Sequence, residues 1–154
     1  MSDFLHQGYG CQIADKLEQA LSCLYPEQNL ELAKKRVWEV YTGFQKQFDK
    51  TSEIRLFSVP GRTELGGNHT DHQQGRVLAS AVSFDSLAAA APNGTNQIRI
   101  YSQGYGKSEI SLSEIAPREC ERHTPSALIR GVAAYFLNRG YSVKGFDAYI
   151  SSQV

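Results

Sequence analysis

The chain has 154 residues, enough for one domain with a sizeable hydrophobic core. Its formal net charge is +0, and its charged residues, 21% of the chain, are mixed in sign along the sequence. This balance argues against a generic electrostatic partner, so neither nucleic acid nor an anionic membrane is expected.

The cysteine spacing and the N-terminal residues indicate the cellular compartment in which the protein is expected. Cys11, Cys23 and Cys120 are odd in number and share no C-x-x-C spacing, which predicts reduced thiols rather than a disulfide framework or a zinc site. The segment MSDFLHQGYG lacks the basic and apolar regions of a signal peptide, and no apolar run approaches the ~20 residues that span a bilayer. We therefore expect a cytoplasmic protein.

Two amphipathic helices are predicted in the first third of the chain. Apolar residues recur at helical spacing from position 13 to position 24, and Tyr25-Pro26 ends the run. A second helix is predicted over 30–48. The apolar residues on one side of this helix are Ala33, Val37, Val40, Tyr41, Phe44 and Phe48. Their helical spacing indicates a buried face rather than a cofactor site.

Strands are predicted next, at 54–59, 77–82, 86–91 and 97–102. Pro60-Gly61 is expected to end the first of them. The alanine-rich stretch 86–91 could equally be helical by propensity, but the abrupt Pro92-Asn93-Gly94 turn favours a strand. The segment 103–107, QGYGK, lacks the spacing of a phosphate loop and predicts a hairpin turn leading to Ile110 and Leu112.

The last third predicts a surface connection, a helix and a strand. Residues 113–123 are polar, Thr124 and Pro125 suit the N-cap and first turn of a helix, and Gly140 is placed to end it. Residues 145–152 alternate as a strand does. The expected fold class is α+β, with a mixed β-sheet packed against helices.

The densest polar segment lies between the predicted strands at 54–59 and 77–82. It reads SVPGRTELGGNHTDHQQG and gathers several ionisable and amide side chains within eleven positions, 62–72. Burying such groups between strands costs free energy unless they have partners, which favours a functional site. A tight turn whose Asx and Thr side chains bond their own backbone remains an equal alternative at this point.

The segment GRTELGGNHTDHQQGRVL resembles the sugar-binding signature of galactokinases, in the GHMP group of small-molecule kinases. AVSFDSLAAAAPNGTNQIRIYS resembles the paired strands after that signature, and SALIRGVAAYFLNRGYSVKGFDAYISSQV resembles the helix and strand before the ATP loop. Residues 31–154 follow the family order, and residues 1–30 are not placed. The resemblance implies that 1–154 is part of a GHMP kinase N-terminal, sugar-binding domain, with the ATP loop and C-terminal domain absent.

Three residues carry family roles by resemblance. Arg62 matches an arginine near the transferred phosphoryl group, a role that suits a guanidinium because it stays charged and binds oxyanions in a fixed geometry. His69 and Asp71 match residues that bind the sugar hydroxyls. The structural alternatives are a bridge capping the turn for Arg62 and an Asx-turn for Asp71.

Three other candidate substrate-binding residues depart from the family pattern. Asn68 stands where the family has a sugar-binding Glu, Glu64 where it has Asn, and His72 where it has Tyr. An amide both donates and accepts hydrogen bonds, whereas a carboxylate accepts only. The exchange at Asn68 therefore leaves the preferred sugar open.

The resemblance implies transfer of the ATP γ-phosphate to the anomeric hydroxyl of galactose, giving galactose 1-phosphate, with ATP and Mg²⁺ as cofactors. Since the family's phosphate loop and catalytic Asp follow the segment ending at Val154, we expect this fragment alone to be inactive. The apolar surface and open edge left there predict that it self-associates or fills the gap with rearranged segments. Open alternatives are a kinase for an amino or acetylamino sugar and a non-catalytic sugar sensor. A metal site at His69, Asp71 and His72 lacks an evident fourth ligand.

Overall fold

The computed structural model describes residues 11–49, 54–67 and 74–154. It contains three α-helices, five strands and two short 3₁₀ turns in this part of the chain. In chain order they are α1 Cys11–Leu24, a 3₁₀ turn Glu27–Asn29, α2 Leu30–Phe48, β1 Arg55–Gly66, β2 Leu78–Pro92, β3 Gln97–Ser102, β4 Gly106–Ser111, a 3₁₀ turn Glu119–Glu121, α3 Pro125–Asn138 and β5 Phe146–Ser152. The α+β fold class is confirmed.

The strands form one mixed sheet in the order β1-β2-β5-β3-β4. β1 pairs antiparallel with β2, β2 with β5, and β3 with β4, while β3 and β5 run parallel. The crossover between the parallel pair contains β4 and α3, as a parallel pair requires a long connection. The hairpin turn at 103–105 confirms the turn predicted there.

The helices cover the two faces of the sheet at different places. The stripe of α2 packs on β2, and the cluster includes Val40 and Phe44, 1% and 0% exposed, against Leu87, Ala89 and Ala91. On the opposite face, Ala133 of α3 packs with residues of β3 and β4, among them Ile98 and Ile110. Two small cores therefore share the sheet.

Two predicted boundaries between strands are wrong. β1 does not end at Pro60-Gly61 but continues to Gly66. Pro60 is tolerated because β1 is an edge strand, where a missing N–H need not break a ladder. The strands predicted at 77–82 and 86–91 are a single strand, β2, since both halves pair with β1 and the residues between them form a bulge rather than a turn.

The helix α3 is less buried than its apolar periodicity indicates. Ala133 is buried and Ile129 packs beside it, but Leu128 is 75% and Val132 59% exposed. This helix therefore presents apolar surface as well as a packed face. Thr124 is the N-cap residue, yet its Oγ1 donates to the Glu121 carbonyl (2.5 Å) instead of accepting from the helix.

Three remaining observations concern compartment and metals. Cys23 and Cys120 are exposed free thiols. Every helix in the described ranges is too short or too polar to cross a membrane. In the same ranges, no three His, Cys, Asp or Glu side chains are grouped so that they could hold a metal ion.

Candidate functional site

Two of the six candidate site residues lie in the described part of the chain. Arg62 and Glu64 are both exposed on the second half of β1, where they pair with Ala81 and Ala79 of β2. Because alternate residues of a strand point to the same side, the two side chains share a face. Asn68, His69, Asp71 and His72 lie outside the described residues, so their roles stay predictions.

The side chain of Arg62 is exposed on β1. Among residues 11–49, 54–67 and 74–154, Arg62 forms no side-chain hydrogen bond or ion pair. The predicted alternative, in which Arg62 is a bridge capping the turn, concerns residues outside the described part of the chain and stays open. A charged, exposed side chain on an edge strand can instead approach a ligand's anionic group.

A register shift separates the two halves of β1. Pro60 pairs with Asp85, but Arg62 pairs with Ala81, so residues 82–84 of β2 all stand opposite Gly61. Gly61 is buried, and a Cβ there would lie 3.0–3.1 Å from side-chain atoms of Val154 and Val82. The bulge thus packs closely on a glycine, immediately before the strand presents Arg62.

A buried carboxylate adjoins this bulge. Asp85 is 3% exposed, and its Oδ2 accepts hydrogen bonds from Ser58 Oγ (2.7 Å) and from the Tyr25 hydroxyl. Its Oδ1 accepts from Arg36 Nη1 (2.6 Å), and its carbonyl accepts from Arg36 Nη2 (3.3 Å) and from the backbone N–H of Gln153 (3.0 Å). One residue therefore ties β2 to β1, to α2, to the α1–α2 connection and to the end of β5.

The electrostatics of this cluster keep the carboxylate charged. Burial alone would raise the pKa of Asp85, but the hydrogen bonds from Tyr25, Ser58 and Arg36 outweigh it and hold the pKa below its usual value. Burial, followed by the bond to Asp85, raises the pKa of Tyr25. Asp85 is thus an acceptor at neutral pH, and all its strong donors come from other elements.

Sequence reasoning missed Asp85. The available signal was that it is the single charged residue between positions 77 and 92, in an otherwise apolar and small run. A buried charge needs a partner. Its partners are distant in the sequence, at positions 25, 36 and 58, so the pattern around Asp85 could not identify them.

Two further buried ion pairs lie away from the bulge. Asp147 of β5, 1% exposed, accepts from Arg99 Nε (2.7 Å) and Nη2 (2.6 Å) and from Asn93 Nδ2 (2.8 Å). Arg130 of α3, 3% exposed, donates to both carboxylate oxygens of Glu121 (2.7 and 2.6 Å). The hydrogen-bonding groups of Asp147 and Arg130 are thus occupied by neighbouring residues. Asp147 attaches the turn at 93–96 to β5, and Arg130 attaches the connection 113–123 to α3.

One family model and several known proteins match this chain. The model of the galactokinase galactose-binding signature matches residues 42–92, which include β1, the polar segment and β2. The galactokinase of Bacillus subtilis (strain 168) is 33% identical over 115 residues, covering 72% of this chain and 29% of the relative. That of Lacticaseibacillus casei is 30% identical over 117 residues, covering 75% and 30%.

A solved structure has the same fold. The crystal structure of Lactococcus lactis galactokinase complexed with galactose superposes with a TM-score of 0.68 at 26% identity, over 75% of this chain and 30% of that one. The chain thus spans about three tenths of the length of the relatives it matches. The resemblance to galactokinases drawn from the sequence is confirmed.

Proposed function

We infer that this chain is a galactokinase-like N-terminal region, and we propose that its complete protein transfers the γ-phosphate of ATP to the anomeric hydroxyl of galactose, giving galactose 1-phosphate. The observation that carries this proposal is the match of the galactose-binding signature to residues 42–92, the part of the chain that presents the polar segment between β1 and β2. The relatives named as galactokinases, one of them solved with galactose, support the same substrate and reaction.

The proposed roles divide between the strand and the segment after it. Arg62 stabilises negative charge near the reacting oxygens, since its fork stays ionised and binds oxyanions in a fixed geometry. His69 and Asp71 hold the ring hydroxyls. The exposed position of Arg62, six residues before Asn68, supports a site that continues from β1 into this segment.

The remaining candidates tune which sugar is accepted. Glu64 shares the strand face of Arg62, and Asn68 and His72 flank the two proposed sugar-binding residues. A pocket built to bond a given hydroxyl rejects a sugar that leaves its polar groups unpaired. We propose that these three positions contact substituents of the sugar rather than the phosphoryl group.

The cofactors are proposed for the complete protein. ATP supplies the phosphoryl group, and Mg²⁺ neutralises charge during transfer. The glycines near residue 104 join β3 to β4 and do not open a helix, so they do not provide the helix N-terminus that a phosphate loop uses. We therefore propose that 1–154 is the partial sugar-binding domain and is inactive alone; a cytoplasmic location also stays a prediction.

One observation favours a second substrate class. Asn68 replaces the family's usual Glu, and an amide can donate to an acetyl carbonyl as well as accept from a hydroxyl. A kinase for an amino or acetylamino sugar is the second candidate. A non-catalytic sugar sensor would bind sugar without turnover.

A substrate panel on the complete gene product tests the proposal. ADP release would be followed with galactose, galactosamine, N-acetylgalactosamine and glucose, in the parent protein, Arg62→Ala and Arg55→Ala. We expect preference for galactose, and a kcat lowered about 10²–10³-fold in Arg62→Ala, the usual loss for a group that stabilises developing charge. Arg55, exposed on the first half of β1, is the matched control and should be silent.

Three outcomes would overturn parts of this proposal. Preference for an amino or acetylamino sugar would replace galactose by the second candidate. Saturable sugar binding without ADP release would identify a sensor. Equal rates in Arg62→Ala and Arg55→Ala would remove Arg62 from the chemistry.

A further inference from the structure

We propose that Asp85 is a positioning residue for Arg62, acting through Ser58 to fix where β1 re-enters pairing with β2 after the bulge. The proposal rests on the function proposed above, because it assigns Arg62 to the reaction. Asp85 itself touches no reacting atom. Its effect is on the placement of the second half of β1.

The first step is the contact between the two strands at the bulge. Ser58 Oγ donates to Asp85 Oδ2 over 2.7 Å, and Pro60, two residues later, is paired with Asp85 in the ladder. Pro60 contributes no N–H to that ladder. The side-chain bond from Ser58 therefore adds a cross-strand link close to a residue that cannot donate one.

The second step is the ambiguity that a bulge creates. Because residues 82–84 face Gly61 alone, the pairing of residues 55–60 does not by itself decide which residue of β2 meets Arg62. A slip of one residue would turn Arg62 to the other face of the strand and present Thr63 in its place. We infer that β2 is held in place at Asp85, where it leaves the bulge and pairs with Pro60.

The third step is that Asp85, directly after the bulge in β2, is held from several directions. Arg36 of α2 bonds both its carboxylate and its carbonyl, Tyr25 bonds the carboxylate, and the Gln153 N–H bonds the carbonyl. A buried ion pair of this kind is weak evidence for stability, since apolar residues often replace one without loss. Its location beside the bulge instead favours a role in setting register.

The test uses kinetics of the complete gene product with Ser58→Ala, Ser58→Thr and Ser86→Ala. Ser58→Ala keeps Asp85 and its bonds to helix α2 but removes the link to β1, so we expect kcat with galactose to fall about 10-fold. Ser58→Thr retains a hydroxyl and should restore most of the rate. Ser86 directly follows Asp85 in the sequence, and its Oγ lies in a hydrogen bond with Ser152 Oγ (2.7 Å). It is the control, and Ser86→Ala should leave kcat unchanged.

A double-mutant cycle separates positioning from a general loss of structure. If Ser58 acts through Arg62, Ser58→Ala adds little to the loss caused by Arg62→Ala, because coupled residues are not additive. A merely structural role would multiply the two losses. Multiplied losses, or a silent Ser58→Ala, would overturn the proposal.

A second readout does not depend on kinase activity. Amide hydrogen exchange in the same protein should show that Ser58→Ala and Asp85→Asn lose protection in residues 61–66 more than in residues 55–59. Unchanged protection, or equal loss in both halves of β1, would contradict the proposal. A parent protein without galactose turnover but with this exchange pattern would refute the proposed function and leave the register role standing.

Discussion

Helix α2 approaches the sheet closely at Gly43, in the C-terminal half of the helix, and this contact yields a prediction with an internal control. A Cβ at Gly43 would lie 2.6–2.9 Å from ring carbons of Tyr149, inside any normal contact distance. The Tyr149 ring stacks on Tyr101, with centroids 5.3 Å apart and planes 17° apart, so it cannot move without disturbing a second ring. At Gly131, in the middle of α3, a Cβ would have no neighbouring atom within 4 Å.

The two glycines should therefore respond to alanine with opposite signs. In both helices the exchange gains about 1 kcal/mol of helix propensity. At Gly43 the gain is offset by about 1–3 kcal/mol for inserting a methyl group into a packed contact, and by part of the stacking between the two tyrosines. We expect Gly43→Ala to be about 1–2 kcal/mol less stable than the parent and Gly131→Ala about 1 kcal/mol more stable.

Urea unfolding of the 154-residue chain, followed by far-UV circular dichroism, measures both differences. The double variant Gly43→Ala/Tyr149→Ala should lose the penalty of the added methyl group, because the ring it meets has been removed. If Gly43→Ala is stabilised as much as Gly131→Ala, helix α2 does not approach the sheet through Gly43, and the packing described above is wrong.

Three other perturbations test separate parts of the structure. Arg99→Met leaves the buried carboxylate of Asp147 without its cation, so the free energy of unfolding in urea should fall by about 3–5 kcal/mol. The control Lys35→Met, at an exposed ion pair, should lower it by less than about 1 kcal/mol. Equal losses would show that the pair of Arg99 and Asp147 is not desolvated. Because the pKa of Asp85 is lowered in the folded protein, its charge contributes stability above about pH 4, and this contribution is lost as the pH falls further. Asp85→Asn should therefore weaken the dependence of the free energy of unfolding on pH in the acid range. Parallel curves for the parent and Asp85→Asn would show that the pKa of Asp85 is not lowered. Light scattering of the concentrated chain should show self-association. Phe57→Ser should reduce it, since the apolar side chain of Phe57 is 50% exposed. A monomer for both the parent and Phe57→Ser would contradict the expected self-association.

The elements with a strong local period could be predicted from the sequence. Helix α2 runs from Leu30 to Phe48 and strand β3 from Gln97 to Ser102, both with the predicted bounds. In each case the apolar spacing faces a covering layer, so local pattern and tertiary packing favour the same structure.

The extent of the strands around the polar segment could not be predicted in this way. Pro60-Gly61 has the composition of a turn, and only the position of β1 at the sheet edge lets the strand continue through it. The bulge opposite Gly61 depends on pairing between residues 19 to 25 positions apart, and no local pattern encodes it. The sequence therefore predicts the polar segment and a strand on each side of it, but not how far these strands extend or how they pair.

Some residues of the candidate site could be predicted from the sequence and others could not. Arg62 was predicted from its place in the signature, and the structure leaves its guanidinium exposed on β1. Asp85 was missed, because its donors, Tyr25, Arg36 and Ser58, meet it only when the helices and strands are assembled. Arg62 could be predicted because it lies within a local motif, whereas the contacts of Asp85 arise only from the tertiary fold.

Calorimetric titration of the complete gene product with galactose, without ATP, tests the central claim most directly. We predict saturable binding in the parent protein, loss of binding in Asp71→Ala, and retained binding in Arg62→Ala, because Asp71 is assigned to the sugar and Arg62 to the phosphoryl group. Absence of saturable galactose binding, or binding that Asp71→Ala leaves unchanged, would contradict the claim that the segment after β1 is a galactose site.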